Sequence, residues 1–169
     1  MSQTSLTTPG AATRSLHAVD PASLSRMSMT ELDELFAELE PALLAELQGH
    51  KRGHVLAVAG LDWLPAALRR ALFELGPWRG KSFEGEFGAN TWLLSSQRLE
   101  FARYLVREGP ALDGSGKVIR LDYDVAANPK ALRGVVGELR YLGPGLFLAR
   151  MQVRWRGRAA RVLYFTLES

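Results

Sequence analysis

From Lys117 to Ser169 the chain alternates apolar and polar residues, and glycine-centred turns cut the alternation into segments of strand length. Successive side chains on a strand point to opposite faces, so this pattern predicts a sheet with one greasy side. The four segments are KVIRLDYD, VVGELRYL, LFLARMQVRW and AARVLYFTLE. In the first, Ile119, Leu121 and Tyr123 alternate with Arg120, Asp122 and Asp124. In the second, Leu139 and Tyr141 alternate with Glu138 and Arg140. In the third, Phe147, Ala149, Met151, Val153 and Trp155 oppose Leu146, Leu148, Arg150, Gln152 and Arg154. A slip of one residue would turn the apolar set to water, so the register is well specified. The last segment is apolar on both faces, Leu163, Phe165 and Leu167 against Val162, Tyr164 and Thr166, which predicts a strand covered twice. Gly143-Pro144-Gly145 and Arg156-Gly157-Arg158 suit tight reversals between these segments.

The residues ahead of the meander read differently. Residues 1–27, rich in Ser, Thr, Ala and Pro without apolar periodicity, are expected to be a disordered N-terminal segment, leaving 28–169 as one domain. Ser28-Met29-Thr30-Glu31 fits a capping box, with Leu32, Leu35, Phe36 and Leu39 at helical spacing behind it. Pro41 can open a second short helix, ALLAEL, and Asp62 can cap a third, WLPAALRRALFEL. Segments 78–83 and 90–94 read as further strands, and so does 98–109, where Leu99, Arg103 and Val106 fit a helix nearly as well but Phe, Tyr and Val favour a strand; Asn128 to Leu132 reads as a turn or one helical turn. The expected fold is therefore α+β, N-terminal helices followed by a curved antiparallel sheet that is rolled or a half-open β-barrel.

Several chemistries are excluded or left thin. There is no cysteine, hence no disulfide and no thiolate chemistry. No apolar run reaches the length of a membrane-spanning helix, and no signal-peptide pattern opens the chain, which points to a soluble cytoplasmic protein. His50 and His54 sit between glycines with no carboxylate to complete a metal site, so no metal is expected. There is no nucleophile elbow, P-loop or dinucleotide fingerprint. Asp122 and Asp124 share one strand face and are the candidates for an acid–base pair, although Arg120 beside them also fits a surface charge cluster. From Gly109 onward ten basic residues stand against five acidic ones. A nucleic-acid surface ranks third, because alternation puts Trp155 opposite Arg150 and Arg154.

Several short stretches together resemble a family of small bacterial proteins of unknown function that carry a GXWXG motif. They are Glu34-Leu35-Phe36, Gly49 to Gly53 with Lys51 at the motif's Trp, Trp78-Arg79-Gly80-Lys81-Ser82-Phe83, and Tyr164 to Glu168. The resemblance implies a small lipocalin-like barrel able to hold an apolar ligand, and no established reaction. The leading expectation is thus a module that binds a small apolar or amphipathic molecule. Trp78, Trp92, Tyr123, Tyr141, Met151, Trp155 and Phe165 are the candidate walls, with Arg120 or Arg150 to meet a carboxylate tail. The alternatives are an isomerase- or cyclase-type enzyme using the same pocket, and an interaction module using a basic sheet face.

Overall fold

Eight strands follow one another along the chain, and each pairs antiparallel with the next. They are β1 (Gly49–Val58), β2 (Trp78–Glu84), β3 (Phe87–Leu94), β4 (Gln97–Pro110), β5 (Lys117–Asp122), β6 (Val135–Gly143), β7 (Leu146–Trp155) and β8 (Arg158–Glu168). β8 returns to pair with β1, so the meander closes on itself and leaves no sheet edge. The computed structural model describes residues 21–61, 64, 65, 67, 68, 71, 76–94 and 97–169.

The antiparallel barrel expected from the order of strands, and the lipocalin-like form that the resemblance implies, are present, but the barrel is closed and not half-open. Interruptions in register complete the curvature, for example between Val55 and Ala57 in β1 and between Met151 and Gln152 in β7. Bulges bend the strand that carries them and let a sheet close. At the β3–β4 bulge, Asn90 pairs with Phe101 and Ala89 with Arg103, which leaves Ala102 as the extra residue at φ 61°.

The run of N-terminal helices is a correction. Among the described residues one helix exceeds a single turn, α2 (Met29–Glu38), with the expected Ser28–Glu31 capping box. Ser28 Oγ accepts the Glu31 amide at 3.3 Å, and the Ser28 amide donates to the Glu31 carboxylate at 2.7 Å. The segment after Pro41 makes only a 3-10 turn, Leu44–Leu47. Pro41 itself forms a bridge with Arg140, which holds the chain in extended form just before that turn. Of the third expected helix, Ala67, Leu68 and Ala71 are helical, and most of the rest lies outside the described residues. The expectation of disorder for residues 1–20 likewise lies outside them. Residues Pro21–Leu24 form one helical turn, α1, and bury Leu24 completely, so part of the segment read as disordered is anchored.

Two cores result. Inside the barrel, Phe83, Tyr104, Ile119, Leu121, Tyr123, Leu139, Phe147, Phe165 and Leu167 form one cluster, with Ala42, Leu44 and Leu47 plugging the end at which β1 starts. Outside, α2 lies on the sheet and buries Leu32 and Phe36 against Leu148, Tyr164, Val118 and Leu142. The polar side of β6 and β7 is therefore not solvated. Glu138, Arg140, Arg150 and Gln152 are buried beneath α2. Arg140 Nη1 donates to the Phe36, Ala37 and Leu39 carbonyls at 2.9, 2.7 and 3.0 Å. A cation here satisfies orphan carbonyls at the negative end of the helix dipole. The Phe36 ring meets the Arg140 and Arg150 guanidinium groups at 5.1 and 4.3 Å.

Candidate functional site

The end of the barrel opposite the plug is hollow. Its cavity measures about 540 Å³ and is lined by apolar side chains from seven of the eight strands and from the β5–β6 connection. Trp78 and Phe165 form one wall, their rings edge-to-face at 5.4 Å and 90°. Met151, Leu163 and Val135 line another side. Phe101 and Ala102 both reach the cavity because the β4 bulge places consecutive residues on one face. Phe101 remains half-exposed, which puts it at the rim.

The wall is almost wholly apolar, and a buried polar cluster lies behind it. Asn90 and Tyr123 line the cavity, and Lys81 is wholly buried. Lys81 Nζ is 2.6 Å from Asn90 Oδ1 and 2.6 Å from the Tyr123 hydroxyl. Asn90 Nδ2 donates to the Tyr123 oxygen at 3.0 Å, and Trp78 Nε1 donates to Asn90 Oδ1 at 3.3 Å. Rings complete the surroundings: Nζ lies 4.9 Å from the Tyr104 centroid and 5.3 Å from those of Tyr123 and Phe165. Among the described residues no carboxylate forms an ion pair with Lys81. Burial accordingly lowers the Lys81 ammonium from 10.5 to about 7, because an uncompensated charge is costly away from water. Burial also raises the Tyr123 phenol, which stays protonated at neutral pH.

The local sequence explains how the lysine comes to be held there. Gly80 breaks the β2 register at φ 137°, and Lys81 and Phe83 then share the inner face. A Cβ on Gly80 would run into the Lys51 carbonyl, and one on Gly53 would overlap the Trp78 ring. Glycine at these two positions lets β1 and β2 approach and lets the indole lie flat over β1. The Trp-x-Gly-Lys-x-Phe stretch is thus a packing unit around a buried amine.

The expected site residues divide clearly. Trp78, Trp92, Tyr123, Met151 and Phe165 all line the cavity. Tyr141 does not; it stands edge-on to Phe147 at 6.3 Å, toward the plugged end. Trp155 is 71 % exposed at the β7–β8 turn, beside Arg156. Arg150 points outward, where it pairs with Glu138 at 2.7 Å and Asp113 at 2.8 Å. Burial acts to raise the Asp113 carboxyl, but hydrogen bonds from Ser115 and the Arg150 charge win and hold it at about 2. Arg120 lies on the outer face, its aliphatic stem near Gly109. Neither arginine can meet a ligand inside. Asp122 binds Arg154 at 3.3 Å and accepts the Asp124 amide at 3.1 Å, so the candidate acid–base pair is a surface cluster outside the cavity. His50 and His54 lie on β1, and no group of His, Cys, Asp or Glu among the described residues is arranged to hold a metal. Lys81 and Asn90 were absent from the expectations. Their signal is parity: Lys81 falls on the same face as Phe83, and Asn90 on that of Trp92.

No family model matches the chain, and no curated protein does. Among solved structures, the chain is similar to a protein from Thermomonospora curvata with a TM-score of 0.62 and 20% identity. The match covers 87% of this chain and 90% of that one. At this identity the likeness is one of fold: the same barrel, over nearly the whole length of both.

Proposed function

We propose that this protein binds a small apolar or amphipathic molecule inside its barrel. The observation that carries the reading is the hollow of about 540 Å³ at one end of a barrel whose other end is filled by side chains. Its size lies within the range of roughly 300–1,000 Å³ in which proteins hold small ligands. Apolar walls supply affinity by removing ligand surface from water. No helix among the described residues is long and apolar enough to cross a membrane. Membership of the GXWXG-motif family, read from the short stretches Glu34–Phe36, Gly49–Gly53, Trp78–Phe83 and Tyr164–Glu168, is part of the same proposal.

Native mass spectrometry of the purified protein, followed by a thermal-shift screen of fatty acids, haem and aromatic acids, tests the reading. Retained extra mass or a saturable rise in melting temperature is expected, since a ligand that binds only the folded state stabilises it. Trp78 and Trp92 line the cavity, so binding should also change the intrinsic fluorescence. A flat response in both assays to every compound overturns the proposal.

A further inference from the structure

The hollow has a wet rim and a dry floor. Phe101 lines it and is half-exposed, so the cavity meets solvent where β4 begins. At the inner end the lining residues are shut off from water: Phe165 is 0 %, Tyr123 1 % and Asn90 5 % exposed. Beyond them Phe83, Phe147 and Leu167 fill the barrel. The polar atoms of this floor are spent on one another. In the neutral form of the Lys81 amine, the Tyr123 hydroxyl donates to its lone pair, Lys81 donates to Asn90 Oδ1, and Asn90 Nδ2 donates to the Tyr123 oxygen. The three side chains thus close a ring of hydrogen bonds at 2.6, 2.6 and 3.0 Å. Trp78 Nε1 also donates to Asn90 Oδ1, and the second Asn90 hydrogen faces the Ala102 carbonyl. The Trp92 Nε1 hydrogen has no partner, and it too is buried. The floor therefore meets a guest as an apolar surface.

We infer that the ligand seats tail first: the part that reaches the floor is plain hydrocarbon, and whatever polar group the molecule carries stays at the rim, in water. This deepens the binding proposal above and rests on it. It fixes the ligand class as molecules whose polarity is confined to one end, and it excludes molecules polar at both ends. A hydroxyl pressed against the floor would give up its water and find no free donor or acceptor, a loss of about tenfold or more in affinity. A charged group there would lose more, since it leaves water for a setting that screens poorly. At the rim the same groups keep their hydration and cost little. Aromatic residues on several sides, Trp78, Trp92, Phe101 and Phe165, suit a flat ring, while Val135, Met151 and Leu163 suit an alkyl chain equally.

The test uses the full chain and a rigid series, 2-methylnaphthalene, 2-naphthol and naphthalene-2,6-diol, whose two hydroxyls point to opposite ends of the ring. A chain pair, 1-decanol and 1,10-decanediol, removes the dependence on shape. Affinities are measured by calorimetry at pH 8, where the Lys81 amine is mostly neutral. The naphthol should bind within about threefold of the methyl compound, because its hydroxyl stays wet at the rim. The 2,6-diol should bind about tenfold or more weaker than the naphthol, and the decanediol about tenfold or more weaker than decanol, because one hydroxyl must go to the floor. Where only one series binds, that series decides. A diol that binds as tightly as its single-hydroxyl partner overturns this inference and leaves the cavity reading standing. So does a naphthol tenfold weaker than the methyl compound, since no polar group would then reach water at the rim. Failure of all five probes overturns both.

Discussion

Replacing Lys81 by methionine removes a buried amine from a site with no acid to neutralise it, and the consequence is a change in how stability depends on pH. The folded-state value is about 7 against 10.5 for the free group. Below pH 7 both states bind the proton, and the penalty for holding the charge in the barrel is fully present. Between pH 7 and 10.5 the unfolded chain binds a proton that the folded barrel does not, so stability rises with pH across that window. Integrated from pH 7 to 9.5, the gain is about 3 kcal/mol, using 1.36 kcal/mol for each pH unit over which the proton counts differ. Above pH 10 the raised phenols of Tyr104, Tyr123 and Tyr164 act in the opposite direction, which is why the comparison stops at 9.5. Urea denaturation of the native protein and of Lys81→Met at pH 7, 8 and 9.5 isolates this one group, because all other titrations are shared. The variant should be more stable at pH 7 by roughly 2–3 kcal/mol, the charge penalty less the hydrogen bonds lost to Asn90 and Tyr123. The difference should shrink or reverse by pH 9.5. Parallel curves across the window would show that Lys81 titrates normally and that the site is wetter than its burial implies.

Four further outcomes are expected. Arg140→Met should cost about 2–4 kcal/mol in urea denaturation, since it strips the α2 carboxyl end of three carbonyl partners under a buried face. Gly53→Ala should cost about 1–3 kcal/mol and shift the tryptophan emission, because the new methyl displaces the Trp78 ring. Phe147→Ala, at the filled end, should cost about 3–5 kcal/mol, whereas Met151→Ala, facing the hollow, should cost under about 2 kcal/mol; equal costs would mean the two ends are packed alike. Trp155→Ser should change stability by less than about 0.5 kcal/mol and leave ligand affinity unaltered, since the indole is exposed at a turn.

Much of the inner face could be read from parity. Ile119, Leu121, Tyr123, Leu139, Phe147, Ala149, Phe165 and Leu167 all turn inward as the alternation requires, because one slip would have drowned the whole set. The outer face was not legible in the same way. Glu138, Arg140, Arg150 and Gln152 look like solvated residues, and only the docking of α2, some hundred positions earlier in the chain, buries them. Their arrangement depends on contacts that no local pattern carries. Glu138 and Arg150 face each other across β6 and β7, so the ion pair follows from register once the hairpin is fixed. The site failed for a different reason. Lys81 has the parity of Phe83, but judging a lysine by its type sends it to water. The arginines chosen to meet a carboxylate had the opposite fault: right chemistry, wrong face. Aromatic walls were easier, since an aromatic residue of correct parity meets the interior whether the interior is filled or hollow. Trp155 and Tyr141 show the limit of that rule, one lying past the strand end of the cavity and the other on the plugged side.

The position of Lys81 along the barrel axis ties these points together. Phe83, Phe147, Leu167 and the 3-10 turn fill one end; the cavity occupies the other; and the Lys81–Asn90–Tyr123 layer lies at the boundary. Lowering a lysine from 10.5 to about 7 corresponds to roughly 5 kcal/mol of lost preference for the charged form, a large share of a typical folding free energy. An apolar residue would close the barrel more stably, as Phe83 does two positions away. A group that weakens the fold beside the hollow belongs to the class of local inconsistencies that mark binding or catalytic sites.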